Sequence, residues 1–213
     1  MAHSKNNKRW IIGITGASGA RYGLHLCHQL LKSGWGIDLL ITDAGWRVLK
    51  EEEFWDTANR RESIQTYFAE HQDKLTLYPI RDIGASIASG THLVEGMCIV
   101  PCSMGTLASI ANGLSANLLE RAADVMLKEK RPLILVPRET PLNEIHLHNM
   151  LTLAKMDVTI LPAMPAFYHH PQTISDLVNF ITGKVMDAMG IEHRLFKRWG
   201  EADEPGTNSH RGD

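Results

Sequence analysis

Long apolar runs are missing from this sequence of 213 residues. No stretch reaches the ~18–20 residues with which a helix crosses a bilayer. The first nine residues are polar and hold no apolar centre of the kind a secretory leader needs. Cysteine is scarce, with Cys27, Cys98 and Cys102 making up the three present. So odd and sparse a set argues against a disulfide framework, fits a reducing compartment and assigns the thiols to buried packing. A cytoplasmic location is therefore expected. An excess of one charge is also lacking. Lys and Arg total 22 against 24 Asp and Glu, a formal net charge of −2, which gives no general pull toward nucleic acid or an acidic membrane. Histidine is plentiful, at 11, but no H-E-x-x-H or paired C-x-x-C spacing occurs, and no metal is expected.

What is present suits one globular domain: 44% of residues are hydrophobic and 22% charged. Residues 1–8 read as a flexible extension, 9–200 as the domain, and 201–213, polar with Gly and Pro, as a flexible tail. Short apolar runs at 10–15, 37–42, 97–101, 132–137 and 158–161 predict strands. Helical periodicity marks 20–32, 117–130, 142–155 and 173–189, with Pro141 placed where the third of these can begin. Residues 44–54 and 59–72 read as helical or irregular. Apolar strands alternating with helices predict an α/β, three-layer Rossmann-like (flavodoxin-like) fold with a mainly parallel sheet. In such sheets ligands bind beyond the carboxyl ends of the strands.

Two loops at that edge carry glycine and hydroxyl groups. Thr15-Gly16-Ala17-Ser18-Gly19-Ala20 follows the first strand and opens a helix, so its backbone N–H groups could cradle a phosphate. A purely structural turn is the alternative. Pro101-Cys102-Ser103-Met104-Gly105-Thr106 also lies between strand and helix, where Ser103 could equally be a helix cap. Asp43 stands where a ribose-binding acid belongs in a nicotinamide dehydrogenase. None of Tyr22, Tyr67, Tyr78 and Tyr168 has a lysine four residues on, however, as the short-chain dehydrogenases require. Arg121, Lys128, Arg138 and Glu139 are placed around the strand at 132–137. Arg and Lys there suit an anionic ligand, and exposed helix surface or local ion pairs are the alternatives. Pro165-Ala166-Phe167-Tyr168-His169-His170-Pro171 reads as a rigid aromatic loop near the same edge. Trp199 is either a packing anchor or an aromatic wall.

Taken in order, these motifs, with Glu120-Arg121-Ala122-Ala123-Asp124-Val125, Leu127-Lys128-Glu129-Lys130-Arg131-Pro132-Leu133 and Pro137-Arg138-Glu139-Thr140-Pro141-Leu142, resemble the UbiX-like flavin prenyltransferases. The resemblance runs from about residue 9 to residue 200. It implies transfer of a dimethylallyl group from dimethylallyl phosphate to N5 and C6 of reduced FMN, without a metal. It also implies a homo-oligomer, a dodecamer, whose prenylated FMN serves UbiD-like decarboxylases, in ubiquinone biosynthesis or with related acids. By the same resemblance Gly16, Ala17, Ser18, Thr42, Ser103, Met104, Gly105, Thr106 and Arg138 contact FMN, with Ser18 near N5. Ser89, Arg121, Lys128, Glu139, Tyr168 and Lys184 match the prenyl-phosphate pocket, with Lys184 standing where some members have arginine. Glu52, flanked by Glu51 and Glu53, aligns with an acid that helps move protons. In that scheme the cations stabilise the leaving phosphate, the Trp199 face stabilises the allyl cation, and Glu139 or the released phosphate takes the ring proton. Three rivals remain: a flavin-dependent cysteine decarboxylase, an FMN carrier without chemistry, and the nicotinamide dehydrogenase.

Overall fold

Apolar strands without alternation need cover on both faces, and the computed structural model, which describes residues 8–200, provides it. Its strands are β1 (Arg9–Ile14), β2 (Gly36–Ile41), β3 (Leu75–Tyr78), β4 (Gly96–Cys102), β5 (Leu133–Pro137) and β6 (Thr159–Ile160). They form one sheet in the order β3-β2-β1-β4-β5-β6, and every pairing is parallel. The helices are α1 (Ala20–Lys32), α2 (Asp43–Glu53), α3 (Arg60–Tyr67), α4 (Met104–Ala111), α5 (Leu118–Lys128), α6 (Glu144–Ala154) and α7 (Ile174–Ala188).

Successive strand residues feed opposite cores, as the two-residue period of a strand requires. Ile12, Ile14 and Leu39 pack with Leu24 of α1, Leu49 of α2, Ile64 of α3 and Val185 of α7. Ile11, Leu40 and Ile99 pack with Leu107 of α4, Ala122 of α5 and Leu153 of α6. These are the three layers expected. Cys27, Cys98 and Cys102 are buried, and loss of solvent pushes all three thiols up, so they pack as small apolar groups. Among the described residues no helix is long and apolar enough to cross a membrane.

Three boundaries differ from the sequence expectation. The segment read as uncertain resolves into α2, α3 and a 3-10 turn at Ala69–His71. The strand that follows, β3, escaped notice because it has four half-buried or exposed residues at the sheet edge. Helix α6 starts at Glu144, not at Pro141. The Asn143 side chain accepts from the His146 N–H at 2.9 Å, and His146 Nδ1 takes the Asn143 N–H at 3.4 Å. That capping box satisfies two helix-end donors, which a first-turn proline cannot do. The expected extensions at 1–8 and 201–213 lie outside the described residues, except for Lys8.

The chain turns back on itself between β1 and β4: β1 leads outward to β2 and β3, and β4 leads the other way to β5 and β6. This reversal opens a crevice at the carboxyl edge, where α/β sheets bind ligands. Gly23 of α1 fixes how closely one wall approaches, because a Cβ there would collide with the Val100 carbonyl of β4. Gly23→Ala should therefore lower the thermal unfolding midpoint by the equivalent of ~1–3 kcal/mol, the usual range for an overpacked core. Scanning calorimetry would read it, and an unchanged midpoint would mean that α1 can move off β4.

Candidate active site

The crevice is built around a buried hydroxyl. Thr15, which follows β1, is fully buried. Its Oγ1 donates to the Pro101 carbonyl at 2.8 Å and accepts from the Ser103 N–H at 2.7 Å. The Thr15 N–H also donates to the Pro101 carbonyl, at 3.2 Å. One side chain thus ties the loop after β1 to the loop after β4. Sequence reading passed over Thr15 as a site residue. Its signal was a hydroxyl at a strand end, directly before a glycine turn.

On the β1 side, Gly16 and Ser18 are exposed and Ala17 is buried. A Cβ on Gly16 would stand 2.5 Å from the Ala44 Cβ, so the loop passes flush against α2. Gly19 has φ 101°, a left-handed conformation that glycine takes without steric cost, and no side chain caps α1 behind it. The open helix start leaves backbone donors and the positive end of the helix dipole facing the crevice. Of the three neighbouring acids, Glu52 alone reaches this loop: its Oε2 accepts from the Gly19 N–H at 2.8 Å. Glu51 pairs with Arg47 and Glu53 with Arg21. Arg138, just past β5, donates from Nε to the Ser18 carbonyl at 3.3 Å. Tyr22, a second residue the sequence did not single out, lies against Gly19. Burial pushes its phenol up while nearby Arg138 pulls it down, so the hydroxyl keeps its proton near neutral pH.

On the β4 side the Ser103 Oγ caps α4 by accepting from the Thr106 N–H at 3.3 Å, and it donates to Thr106 Oγ1 at 3.0 Å. The helix-cap reading of Ser103 is therefore correct, and the same loop is held at the crevice through Thr15. Gly105 is exposed with open space where a side chain would be. Met104 is 7% exposed and turns its side chain into the core, so only its backbone is available to a ligand. Thr42 has a similar double place: its Oγ1 accepts from the Gly45 N–H at 3.0 Å and starts α2 beside the Gly16 loop. Asp43 points elsewhere, held by Arg60 at 2.7 Å, and that hydrogen bond keeps its carboxyl below the usual range.

The remaining site residues do not all converge within one chain. Glu139 follows β5 at the crevice edge, where its Oε1 accepts from the Thr140 N–H at 3.0 Å. Tyr168 lies beyond β6, packed edge-on against Phe180 and Trp199 at centroid distances of 6.0 and 5.2 Å. Trp199 is 80% exposed and so is no core anchor. Lys184 is one turn along α7 from Phe180 and lies 3.8 Å from Asp187. Lys128, by contrast, ends α5 just before β5 begins, at the amino edge of the sheet. β5 alone, with five residues, separates the edges by roughly 16 Å at ~3.3 Å per residue. The sequence reading placed Lys128 around the same strand as Arg138, and the structure puts them at opposite ends of it. Arg121 lies on α5 with Lys128, donating to the Ala88 carbonyl at 3.2 Å and to Asp124 at 2.5 Å. Lys128 pairs with Glu129. Ser89 follows the 3-10 turn Ser86–Ala88 on that same side.

The sequence profile of the Flavoprotein family matches residues 1–186. A flavin prenyltransferase UbiX of Halalkalibacterium halodurans is 56% identical, over 90% of this chain and 93% of its own. The chain belongs to the UbiX flavin prenyltransferase family. A UbiX of Pseudomonas aeruginosa is 41% identical, over 91% of this chain and 95% of that one. Among solved structures, a UbiX crystallised with FMN and dimethylallyl pyrophosphate superposes with a TM-score of 0.82 at 35% identity, over 93% of this chain and all of that one. A dodecameric FMN-dependent UbiX-like decarboxylase from Escherichia coli gives 0.80 at 39% identity, over 91% of this chain and all of that one. The peptidyl-cysteine decarboxylase EpiD, at 18% identity and a TM-score of 0.59, shares the fold, covering 85% of this chain and 98% of that one.

The UbiX crevice of this chain fits a flavin mononucleotide on its own geometry. The open, side-chain-free surface at Gly105 admits a flat ring, and the uncapped start of α1 and the hydroxyls of Ser18 and Thr106 suit polar groups. Thr15→Val keeps the volume and deletes both side-chain hydrogen bonds, leaving the Ser103 N–H buried. FMN affinity should fall about tenfold, the effect of losing one to two such bonds, as read by flavin fluorescence quenching. Unchanged affinity would mean that the two loops hold their spacing without Thr15.

Proposed function

We propose that the chain, through a single domain over 9–200, is a flavin prenyltransferase. It joins the dimethylallyl group of dimethylallyl phosphate to N5 and C6 of reduced FMN. The observation that carries this is the pair of glycine-bearing loops tied by Thr15, in a chain over half identical to UbiX relatives. Reduced FMN, when bound, supplies the electron-rich atoms that take the allyl carbons. Gly16, Ala17, Ser18, Thr42, Ser103, Gly105, Thr106 and Arg138, with the Met104 backbone, hold and orient it. Ser89, Arg121, Lys128, Tyr168 and Lys184 receive the phosphate. As the allylic C–O bond breaks, the leaving oxygen gains negative charge, which these cations and the phenol stabilise. The exposed Trp199 face steadies the positive charge left on the allyl group. Glu139 stands at the crevice edge to accept a proton, and Glu52, hydrogen-bonded to the Gly19 N–H, holds a second proton-accepting group beside Ser18. Bringing both reactants together removes an entropic barrier of up to roughly 7–11 kcal/mol.

The distance between the two edges of the sheet supports a further element of the proposal. Lys128 cannot reach the crevice of its own chain, so in this proposal it serves the crevice of a second copy. The working site is then composite, and activity depends on a homo-oligomer, for which a dodecamer is proposed. A cytoplasmic location and delivery of the prenylated flavin to a UbiD-like decarboxylase complete the proposal.

Anaerobic incubation with reduced FMN and dimethylallyl phosphate should yield a flavin heavier by one dimethylallyl unit in mass spectrometry. Unmodified flavin with intact prenyl phosphate would point instead to a carrier, and oxidation of a cysteinyl peptide to a cysteine decarboxylase. The composite site has its own check. Ser18→Ala and Lys128→Ala should each be slow alone. Co-expressed in one oligomer they should regain activity, because some sites then receive both intact surfaces. Absence of any recovery would place Lys128 and Ser18 of each site in one chain.

A further inference from the structure

A buried carboxylate outside the crevice carries one more inference. Asp38 is 1% exposed in β2, whose other residues are Gly, Ile and Leu. An ionised carboxylate in such a place persists only when its oxygens are partnered. Arg9 Nε and Nη2 donate to Oδ1 at 3.0 and 2.7 Å, and His92 Nε2 stands 2.9 Å from Oδ2. A carboxylate acceptor fixes the ring proton on that nitrogen. His92 belongs to the segment between the Ser86–Ala88 turn and β4, which has no helix or strand of its own. Arg131 grips the same segment by its backbone, with Nη1 donating to the His92 carbonyl at 2.7 Å and Nη2 to the Gly90 carbonyl at 2.6 Å.

This clamp is next to the phosphate-binding surface. The His92 N–H donates to the Ser89 carbonyl at 3.1 Å. Ser89 Oγ lies 2.9 Å from Thr91 Oγ1. One residue before Ser89, the Ala88 carbonyl takes the Arg121 hydrogen bond. One residue after it, Gly90 packs so closely on Glu129, the partner of Lys128, that a Cβ would collide with the carboxylate. The turn therefore lies between the two cations of α5.

We propose that Asp38, His92 and Arg131 are positioning residues for the prenyl-phosphate surface, holding Ser89 between Arg121 and Lys128. This rests on the reading that those three residues receive the phosphate. None of the three positioning groups touches the substrate. They act through the backbone of residues 89–92, so their loss should alter capture of the prenyl phosphate and leave the flavin crevice alone.

The test compares His92→Leu, which removes the donor, with His92→Gln, whose amide can still donate to Asp38, and with Arg131→Lys, which loses the fork but keeps the Asp38–His92 pair. Ser89→Ala is the reference. Steady-state kinetics with dimethylallyl phosphate and a separate FMN titration are measured for each. His92→Leu and Arg131→Lys should raise KM for the prenyl phosphate about tenfold, with FMN affinity unchanged, and His92→Gln should restore most of the loss. A raised KM for Ser89→Ala with wild-type values for both His92→Leu and Arg131→Lys would overturn the proposal, as would FMN affinity falling in step with KM. No effect of Ser89→Ala would instead remove the phosphate reading itself, and the positioning role with it. If His92→Leu fails to assemble, Arg131→Lys decides the matter alone.

Discussion

The hydroxyl of Thr15 is the contact on which the active-site crevice depends. Parallel strands β1 and β4 are neighbours, but their chains depart to opposite faces of the sheet, and nothing in strand pairing sets the separation of the loops beyond them. A buried side chain that donates to one loop and accepts from it a second time sets that separation. Burial strengthens the constraint, since either partner left unsatisfied would pay its full desolvation penalty. Other polar contacts of the crevice bear on the two loops that this tie joins. Arg138 reaches the Ser18 carbonyl, Glu52 reaches the Gly19 N–H, and Ser103 starts α4 from the far side.

A second constraint is dimensional. The sheet separates its two edges by the length of its strands, and the residues with phosphate-binding chemistry are distributed over both. Arg138, Glu139 and Tyr168 follow strands at the carboxyl edge, whereas α5 carries Lys128 to the amino edge before β5 begins. No side chain spans that distance. That separation is why the chemistry is proposed to need an assembly. The exposed apolar residues of α6, among them Ile145, Leu147 and Leu151, belong to a surface that one chain alone does not cover.

Much of this was legible in the residues themselves. The β1 and β5 runs are apolar because they are buried on both faces, and that property is readable without coordinates. The glycine turns announced themselves through composition at strand ends, and the ordered motifs from Thr15 to Tyr168 identified the family. The short edge strand β3 was not legible, since a half-buried run of four residues resembles a loop. The start of α6 was misread because a proline signal is visible in sequence, while the competing capping box at Asn143 and His146 is recognised only from paired hydrogen bonds. Glu52 could not be separated from Glu51 and Glu53 by position, yet each of the three acids has a different partner in the fold.

The sequence by itself determined the layered α/β architecture, the two glycine-bearing turns and the inventory of anion-binding side chains. These follow from local periodicity, backbone freedom and residue chemistry, which neighbouring residues specify among themselves. Tertiary structure alone decided that Thr15 joins the two turns, that Asp38 is satisfied by Arg9 and His92, and that Lys128 lies at the far edge from Arg138. Those outcomes depend on which distant segments meet across the sheet, and on how far apart its edges stand, quantities that no short stretch of chain encodes.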